Sequence, residues 1–431
     1  MTCGRAGEGL PSCRIRETPV VAAAGAGRYE DGKMTYYDEL EVRSADERAA
    51  AHSRALADIL TQLAAQGTEL PGAGDVRSID DLPKLPVFRK SGLTGLQAKA
   101  PPFGGMLVAN PTHVFQSPGP IYEPGSAGRD WGRVGRFLHA AGVRRGDIVQ
   151  NCFSYHLTPA GIMFDSAARA LGAMVVPAGT GQTDLQVRAA ADVKCSVYAG
   201  TPDYLKIILD RADEMGARLH FRRAVVGAGA LFASLRQEYS DRGILCLQNY
   251  ATADLGNVAF ETEALDGMVV DEGVIVEIVT PGTGNPVGIG EVGEIVVTCL
   301  NPDYPLIRFA TGDLSAILPG QSPCGRTNIR IRGWMGRADQ ATKIKGMFVR
   351  PEQVADLVKR HPEVTKARVV VTREGEKDNV SVLLEAPGGN TAGYRESVSA
   401  VLKLNATVSV AAPGSLPNDG KVIDDQRVYD A

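Results

Sequence analysis

The sequence predicts an α/β protein of two unequal domains. The large N-terminal domain carries mostly parallel, doubly covered sheet plus a small antiparallel β part, and the C-terminal domain is a small, mobile α+β unit. Three observations predict this. Short apolar stretches alternate with amphipathic helical patterns from Ile148 to Leu247, the signature of parallel strands with crossover helices. After Gly267 the strand patterns are separated by Gly/Pro turns instead. A charged stretch bracketed by glycines, G-R-A-D-Q-A-T-K-I-K-G from Gly336 to Gly346, then reads as a joint. The expected division is a poorly ordered lead over 1–34, a large domain over 35–335, a hinge over 336–346 and a small domain over 347–431.

In chain order, Ser44 to Gln66 has helical spacing, with Leu56, Ile59, Leu60 and Leu63 on one stripe. Asp80 to Leu93 is punctuated by prolines and reads as a surface connection. Strands are then expected at Ile148–Phe153, Ala173–Val176, Cys195–Tyr198, Arg223–Val226 and Ile244–Leu247. Helices are expected at Gly161–Leu171, Thr183–Asp192, from Thr201 (as N-cap, with Pro202 following) to Gly216, and at Leu231–Arg242. Gly273–Val279 and Glu291–Thr298 form the antiparallel piece. Past the joint, Pro351–His361 and Tyr394–Leu404 read as helices, and Ala367–Thr372 and Val380–Glu385 as strands.

Composition narrows the function. Apolar content of 44%, charged content of 22% and net charge −4 fit a globular protein and argue against nucleic acid as the main partner. No apolar run reaches the length of a membrane span, and Pro19 to Gly27 is too short and small-sided for a secretory signal core. The seven cysteines form no CxxC pair and no cluster with zinc spacing. A reducing, cytoplasmic setting fits best.

Ligands of parallel α/β sheets bind at the carboxyl ends of strands, and four clusters fall in such places. Gly227-Ala228-Gly229 lets a flat group approach the backbone, or is a plain tight turn. Tyr250-Ala251-Thr252-Ala253-Asp254 offers an aromatic, a hydroxyl and a carboxylate able to hold Mg²⁺, or is a capping turn. In I-R-F-A-T-G-D-L, from Ile307 to Leu314, Asp313 suits two vicinal ribose hydroxyls, or belongs to a hairpin turn. The joint is followed downstream by L-P-N-D-G-K, ending at Lys421, a mobile cation suited to a phosphoryl or carboxyl oxygen.

The order and spacing of these clusters resemble the adenylate-forming (AMP-binding) ligases, specifically the phenylacetate–CoA ligase branch. The resemblance spans His113 to Lys421. It is carried by G-D-I-V-Q-N-C-F-S-Y-H-L-T-P-A-G, A-L-G-A-M-V-V-P-A-G-T-G-Q-T, I-R-F-A-T-G-D-L and G-R-A-D-Q-A-T-K-I-K-G-M-F-V-R-P-E-Q-V. It implies the architecture of that superfamily and an ATP-dependent acid–CoA ligase, with ATP/AMP, Mg²⁺ and coenzyme A as cofactors and a small aryl or acyl carboxylic acid as substrate. Gly227, Ala228 and Gly229 would then border the adenine and Asn249, Tyr250 and Ala251 would lie beside it. Thr252 and Asp254 would stand near the α-phosphate and Mg²⁺. Asp313 would hold the ribose with Arg337, Asp339 would be the pivot with Lys345 close by, and Lys421 would serve adenylation. Phe153, Tyr155, His156, Thr180 and Gly181 would lie near the acid. The segment Arg337 to Lys377 holds ten Lys/Arg against six Asp/Glu, an excess suited to CoA phosphates or to a solvated basic face. Relatives are often dimers, so a homodimer is the implied assembly.

Three departures stand out. The family's Ser/Thr/Gly-rich phosphate loop should follow Val114, but the chain reads F-Q-S-P-G-P-I-Y-E-P-G-S-A-G. Only Ser117 and Gly119 keep its character, two prolines remove backbone donors, and Glu123 would repel a triphosphate. Ala253 stands where a hydroxyl usually precedes a glutamate, with the shorter Asp254 following. Gly229 replaces a frequent acid. Two alternatives stay open: a nucleotide- or acyl-binding relative without ligase activity, and an adenylating enzyme that loads a carrier-protein thiol.

Overall fold

The structure is a computed structural model, and it describes residues 29–30, 33–34, 36–68, 70–106, 111–338, 342–344, 347–374, 377–388, 391–417 and 422–427. Of the expected lead, 1–28 lies outside the described residues, and Tyr29–Glu30 pairs antiparallel with Lys33–Met34. The first helix, Ala45–Ala65, starts where its chemistry dictates. Ser44 accepts from the Glu47 N–H, and the Glu47 carboxylate accepts from the Ser44 N–H in return. Its stripe of Leu56, Ile59 and Leu63 is buried against Leu82, Leu85 and Ile307.

The central sheet has nine strands. Leu245–Thr252, Arg223–Val226, Val197–Gly200, Ile148–Asn151 and Met174–Val176 run parallel in that spatial order. Gly256–Phe260, Met268–Val270, Arg330–Ile331 and Ile317–Leu318 continue it antiparallel beyond Leu245–Thr252. Apolar side chains fill both faces of the parallel part, around Phe137, Phe164 and Val225 in one cluster and Tyr198, Leu205 and Tyr239 in another. Helix Thr183–Asp192 matches its expected bounds, and Pro202–Met215 ends at Gly216 in the left-handed conformation. Thr201 occupies the N-cap position, but its side chain makes no capping hydrogen bond.

A second sheet pairs Val274–Val279, Gly293–Cys299 and Leu306–Ser315 antiparallel and adds Phe88–Arg89 in parallel. Arg308, 2% exposed, fastens it. Its guanidinium donates to Glu277 at 2.9 Å and to the carbonyls of Leu85 (2.6 Å) and Gly284 (2.7 Å). Past the joint, Thr407–Ala411, Lys377–Glu385, Lys366–Glu374 and Ile423–Asp425 form a four-stranded sheet. With helices Pro351–Arg360 and Thr391–Leu402, it encloses a core from Ile344 to Ile423.

Three expectations are corrected. Asp80 to Leu93 is not only a surface connection. It contains a 3-10 helix, Ile79–Lys84, and the start of helix Lys90–Lys99, with Leu82, Leu85 and Leu93 in the core. Tyr250 to Thr252 are not in a loop but extend strand Leu245–Thr252, held by pairing with Gly256–Phe260 across a bulge at Tyr250/Ala251. Thr311 to Asp313 likewise lie inside strand Leu306–Ser315, not at a hairpin tip. In both cases a neighbouring strand supplies hydrogen bonds that local turn chemistry does not foresee.

Candidate active site

Asp313 is where remote strands converge. Tyr250 donates its hydroxyl to Asp313 Oδ2 at 2.7 Å, Trp334 donates Nε1–H to Oδ1 at 3.0 Å, and Arg337 Nη1 reaches Oδ1 at 3.3 Å. Arg337 also donates to the Thr311 carbonyl at 3.3 Å. Gly312, at φ +76°, makes this possible, because a Cβ there would stand 2.6 Å from Arg337 Nη2. The backbone of the joint's first residues is tied to the same strand, with Leu314 N–H donating to Gly336 O (2.8 Å) and Met335 N–H to Leu314 O (2.9 Å). Tyr250 itself is 7% exposed, and burial followed by the Asp313 charge pushes its phenol well above its ordinary pKa.

One strand away, Gly227 leaves room for Asn249. A Cβ on Gly227 would approach Asn249 Oδ1 to 2.4 Å. Asn249 in turn donates to Asn257 Oδ1 at 2.9 Å. Ala228 takes a left-handed conformation at φ +58°, while Gly229 abuts Pro202. Ala251 is exposed at the bulge, and Thr252 Oγ1 accepts the Leu255 N–H at 3.1 Å, the turn-capping role weighed for it.

Asp254 has no exposed side-chain surface and is paired with Lys90 at 2.6 Å. Its other oxygen is buried without a hydrogen-bond partner. Facing it is Glu123, on the hairpin of His113–Ser117 with Ile121–Gly125. Ser117 pairs with Ile121 in this hairpin, so its turn is only Pro118-Gly119-Pro120. Ser117 donates to Glu123 Oε1, and Glu123 Oε2 has no hydrogen-bond partner. Burial first, and the Asp254 charge after it, raise the Glu123 carboxyl to about 7, against the opposing pull of Ser117 and Lys90. The Tyr304 hydroxyl is also buried and unsatisfied nearby. The buried, unpartnered Asp254 oxygen fits one ligand of a hard divalent cation. Among the described residues no group of three or more His, Cys, Asp or Glu is gathered for a metal.

The residues expected near the acid divide. Phe153 is a core side chain packed on Phe164 at 4.3 Å between ring centroids. The Tyr155 hydroxyl accepts from Asn151 at 2.8 Å, and burial raises its pKa. His156, Thr180 and Gly181 are exposed on the adjoining loops, where Gly181 O accepts from Gln186 (2.7 Å) and Tyr204 (3.0 Å). Asp339, Lys345 and Lys421 lie outside the described residues. Sequence reasoning missed Lys90 and Trp334. Lys90 lies inside the proline-punctuated connection Asp80 to Leu93, which shows no periodicity, and Trp334 lies next to the joint, where the aromatic ring was the available signal.

No family model matches the chain. Among curated proteins, the phenylacetate–coenzyme A ligase of Aromatoleum evansii is 31% identical over 349 residues, 76% of this chain and 78% of that one. The phenylacetate–coenzyme A ligase of Thermus thermophilus is 30% identical over 328 residues, 72% and 73% of the two chains. The chain belongs to the phenylacetate–CoA ligase family. Among solved structures, this family member's fold is similar to that of 2-hydroxyisobutyryl-CoA ligase in the postadenylation state, with TM-score 0.76 at 22% identity, covering 92% of this chain and 94% of that one. Within the phenylacetate–CoA ligase frame, the segment after Val114 is a three-residue turn whose two prolines offer no N–H.

Proposed function

We propose that this chain is an ATP-dependent acid–CoA ligase that activates an aryl or acyl carboxylate of the phenylacetate kind. Beyond family membership, the observation that carries the reading is Asp313. It is a carboxylate inside strand Leu306–Ser315, held by donors from two separate segments, Tyr250 on strand Leu245–Thr252 and Trp334 with Arg337 where the chain enters the joint. Such an acceptor suits vicinal ribose hydroxyls.

In the first step a substrate carboxylate oxygen attacks the α-phosphorus of ATP. The bond to the β-phosphate oxygen breaks, giving acyl-adenylate and pyrophosphate. In the second, the CoA thiol sulfur attacks the acyl carbon, its proton passes to solvent, and AMP leaves with the bonding pair. Asp313 and Arg337 orient the ribose so that the α-phosphate is in line, which is where most of the acceleration of such a transfer originates. Mg²⁺, when bound, neutralises developing phosphate charge, and Asp254 is the carboxylate that would hold it. Lys90 keeps Asp254 in place, Lys421 offers charge to the reacting oxygens, and the basic excess from Arg337 to Lys377 receives CoA phosphates. The small domain, 347–431, turns against the large one, 35–335, about Asp339 in the hinge 336–346. A homodimer in the cytoplasm is the corresponding setting.

The reading is tested by ATP–pyrophosphate exchange over a panel of aryl and acyl acids, with mass analysis of products formed with CoA. Exchange on one acid and a matching CoA thioester is the expected result. The Pro118-Gly119-Pro120 turn favours one second reading, a nucleotide- and acyl-binding relative without ligation. Calorimetric ATP binding with no exchange on any acid would select it.

A further inference from the structure

We propose that the cavity between strand Ile121–Gly125, helix Ala160–Ala170 and the turn 253–256 is a second binding site, one that takes a single-ring phenol. The cavity measures about 250 Å³, and Trp131, Met163, Leu255, Cys299, Asp254 and Tyr304 are among its walls. It opens at Gly128, Arg129 and Asp303, which are exposed. On those walls Trp131 Nε1, Asp254 Oδ1 and the Tyr304 hydroxyl are buried with no hydrogen-bond partner. Buried polar atoms are nearly always satisfied, so together they call for an occupant. Trp131 offers only a donor, ionised Asp254 only an acceptor, and Tyr304 either. The groups are held still. Trp131 stacks on Phe115 at 5.9 Å between ring centroids, Tyr304 meets Phe103 edge-on at 6.2 Å, and Lys90 anchors the other Asp254 oxygen at 2.6 Å. Arg133, also on the wall, is turned to Asp271 and to the Leu255 carbonyl.

Charge and shape select the ligand. Lys90 already balances Asp254, so an occupant without charge of its own fits, while a carboxylate would face the Asp254 charge unpaired. Water satisfies the polar atoms, but Met163, Leu255 and the face of Trp131 gain nothing from it. A phenol serves both. Its hydroxyl donates to Asp254 and accepts from Trp131 or Tyr304, and its ring lies against Trp131, Met163 and Leu255. Asp254 Oδ1 is also the oxygen that the proposed function gives to Mg²⁺. Resting on that reading, one oxygen does not serve both ligands, so phenol and Mg²⁺ weaken each other's binding by the same factor.

The chain has two tryptophans, Trp131 and Trp334, so W334F reports on the cavity through Trp131 alone. Phenol is titrated into the full-length W334F protein, with calorimetry in parallel on wild type, Y304F and M163F, and with toluene as the ring that lacks the hydroxyl. The proposal expects a saturable change in Trp131 emission that follows the calorimetric isotherm. Toluene should bind roughly ten-fold or more weakly, the size of losing a hydrogen bond to a charged group. Y304F should weaken phenol several-fold, and M163F, which narrows the cavity, should weaken it further, with circular dichroism verifying that the variants are folded. Saturating Mg²⁺ should raise the apparent Kd for phenol. No saturable emission change, toluene bound as tightly as phenol, or unchanged affinity in both variants overturns the proposal. Phenol binding indifferent to Mg²⁺, in protein that catalyses pyrophosphate exchange, also overturns it and leaves the ligase reading standing. Phenol binding in protein that exchanges with no acid overturns the ligase reading and leaves this site standing.

Discussion

Lys90 donates to Asp254 at 2.6 Å across 164 positions of sequence, and the aspartate side chain it holds is completely buried. The helix that begins at Lys90 therefore fixes the carboxylate that follows strand Leu245–Thr252. Removing the ammonium would leave a buried charge unpaired. Because Lys90 is one-third exposed, water partly compensates, and K90A should lower stability by about 1–3 kcal/mol, below the range for fully buried pairs. The double variant K90A/D254N should recover most of that loss. Denaturant unfolding of the four proteins of the cycle measures it, and additive losses would show that the pair is not coupled.

Glu123 sets a pH dependence. Its folded pKa of about 7 lies above the ordinary 4.5, so between those values the folded chain binds more protons than the unfolded chain. Stability attributable to this group falls as pH rises through that window and is level above it. E123Q should remove the fall and be more stable than wild type at pH 8, by about 1–3 kcal/mol given roughly 1.4 kcal/mol per pKa unit. Above neutrality it should also lower the KM for ATP if the triphosphate binds beside this hairpin as proposed, since an anion is removed there. Equal melting profiles of E123Q and wild type from pH 5 to 8 would argue against a perturbed Glu123.

His139 acts in the opposite sense. It is buried with both ring nitrogens unsatisfied, and burial, then Arg144 and Arg326, hold its pKa down at about 3. The unfolded chain takes up this proton near pH 6.5, so stability is complete above that value. It is lost as pH falls toward 3, by about 1.4 kcal/mol per pH unit. H139L should flatten this acid limb, read as Tm between pH 4 and 7.

Lys421→Ala should slow adenylation by about 10²–10³-fold, the effect of losing one electrostatic donor. Thioester formation from synthetic acyl-adenylate should survive. Pyrophosphate exchange at the wild-type rate would remove Lys421 from the adenylation step.

The fold was legible where a pattern is local. The stripe Leu56, Ile59, Leu63 and the Ser44/Glu47 capping box mark the first helix because periodicity and end chemistry act within a few residues. The Gly/Pro-punctuated strands at Val274–Val279 and Gly293–Cys299 were legible for the same reason. The site was half legible. Tyr250, Asp313 and Arg337 are singled out by residue type and do come together, but their mutual bonds are not in the spacing. Lys90 had no signal, because an isolated lysine at a helix start is normally solvated.

The sequence by itself determined the first helix, the parallel strands with their crossover helices, their order and the chemical types near the strand ends, since burial periodicity and capping are written in neighbouring residues. Tertiary structure decided which of those types meet. Tyr250 reaches Asp313 across 63 positions and Lys90 reaches Asp254 across 164, and both meetings depend on how separate strands and helices pack. It also decided that the segment between Ser117 and Ile121 closes into a three-residue turn, because hairpin pairing on either side leaves no chain for a longer loop.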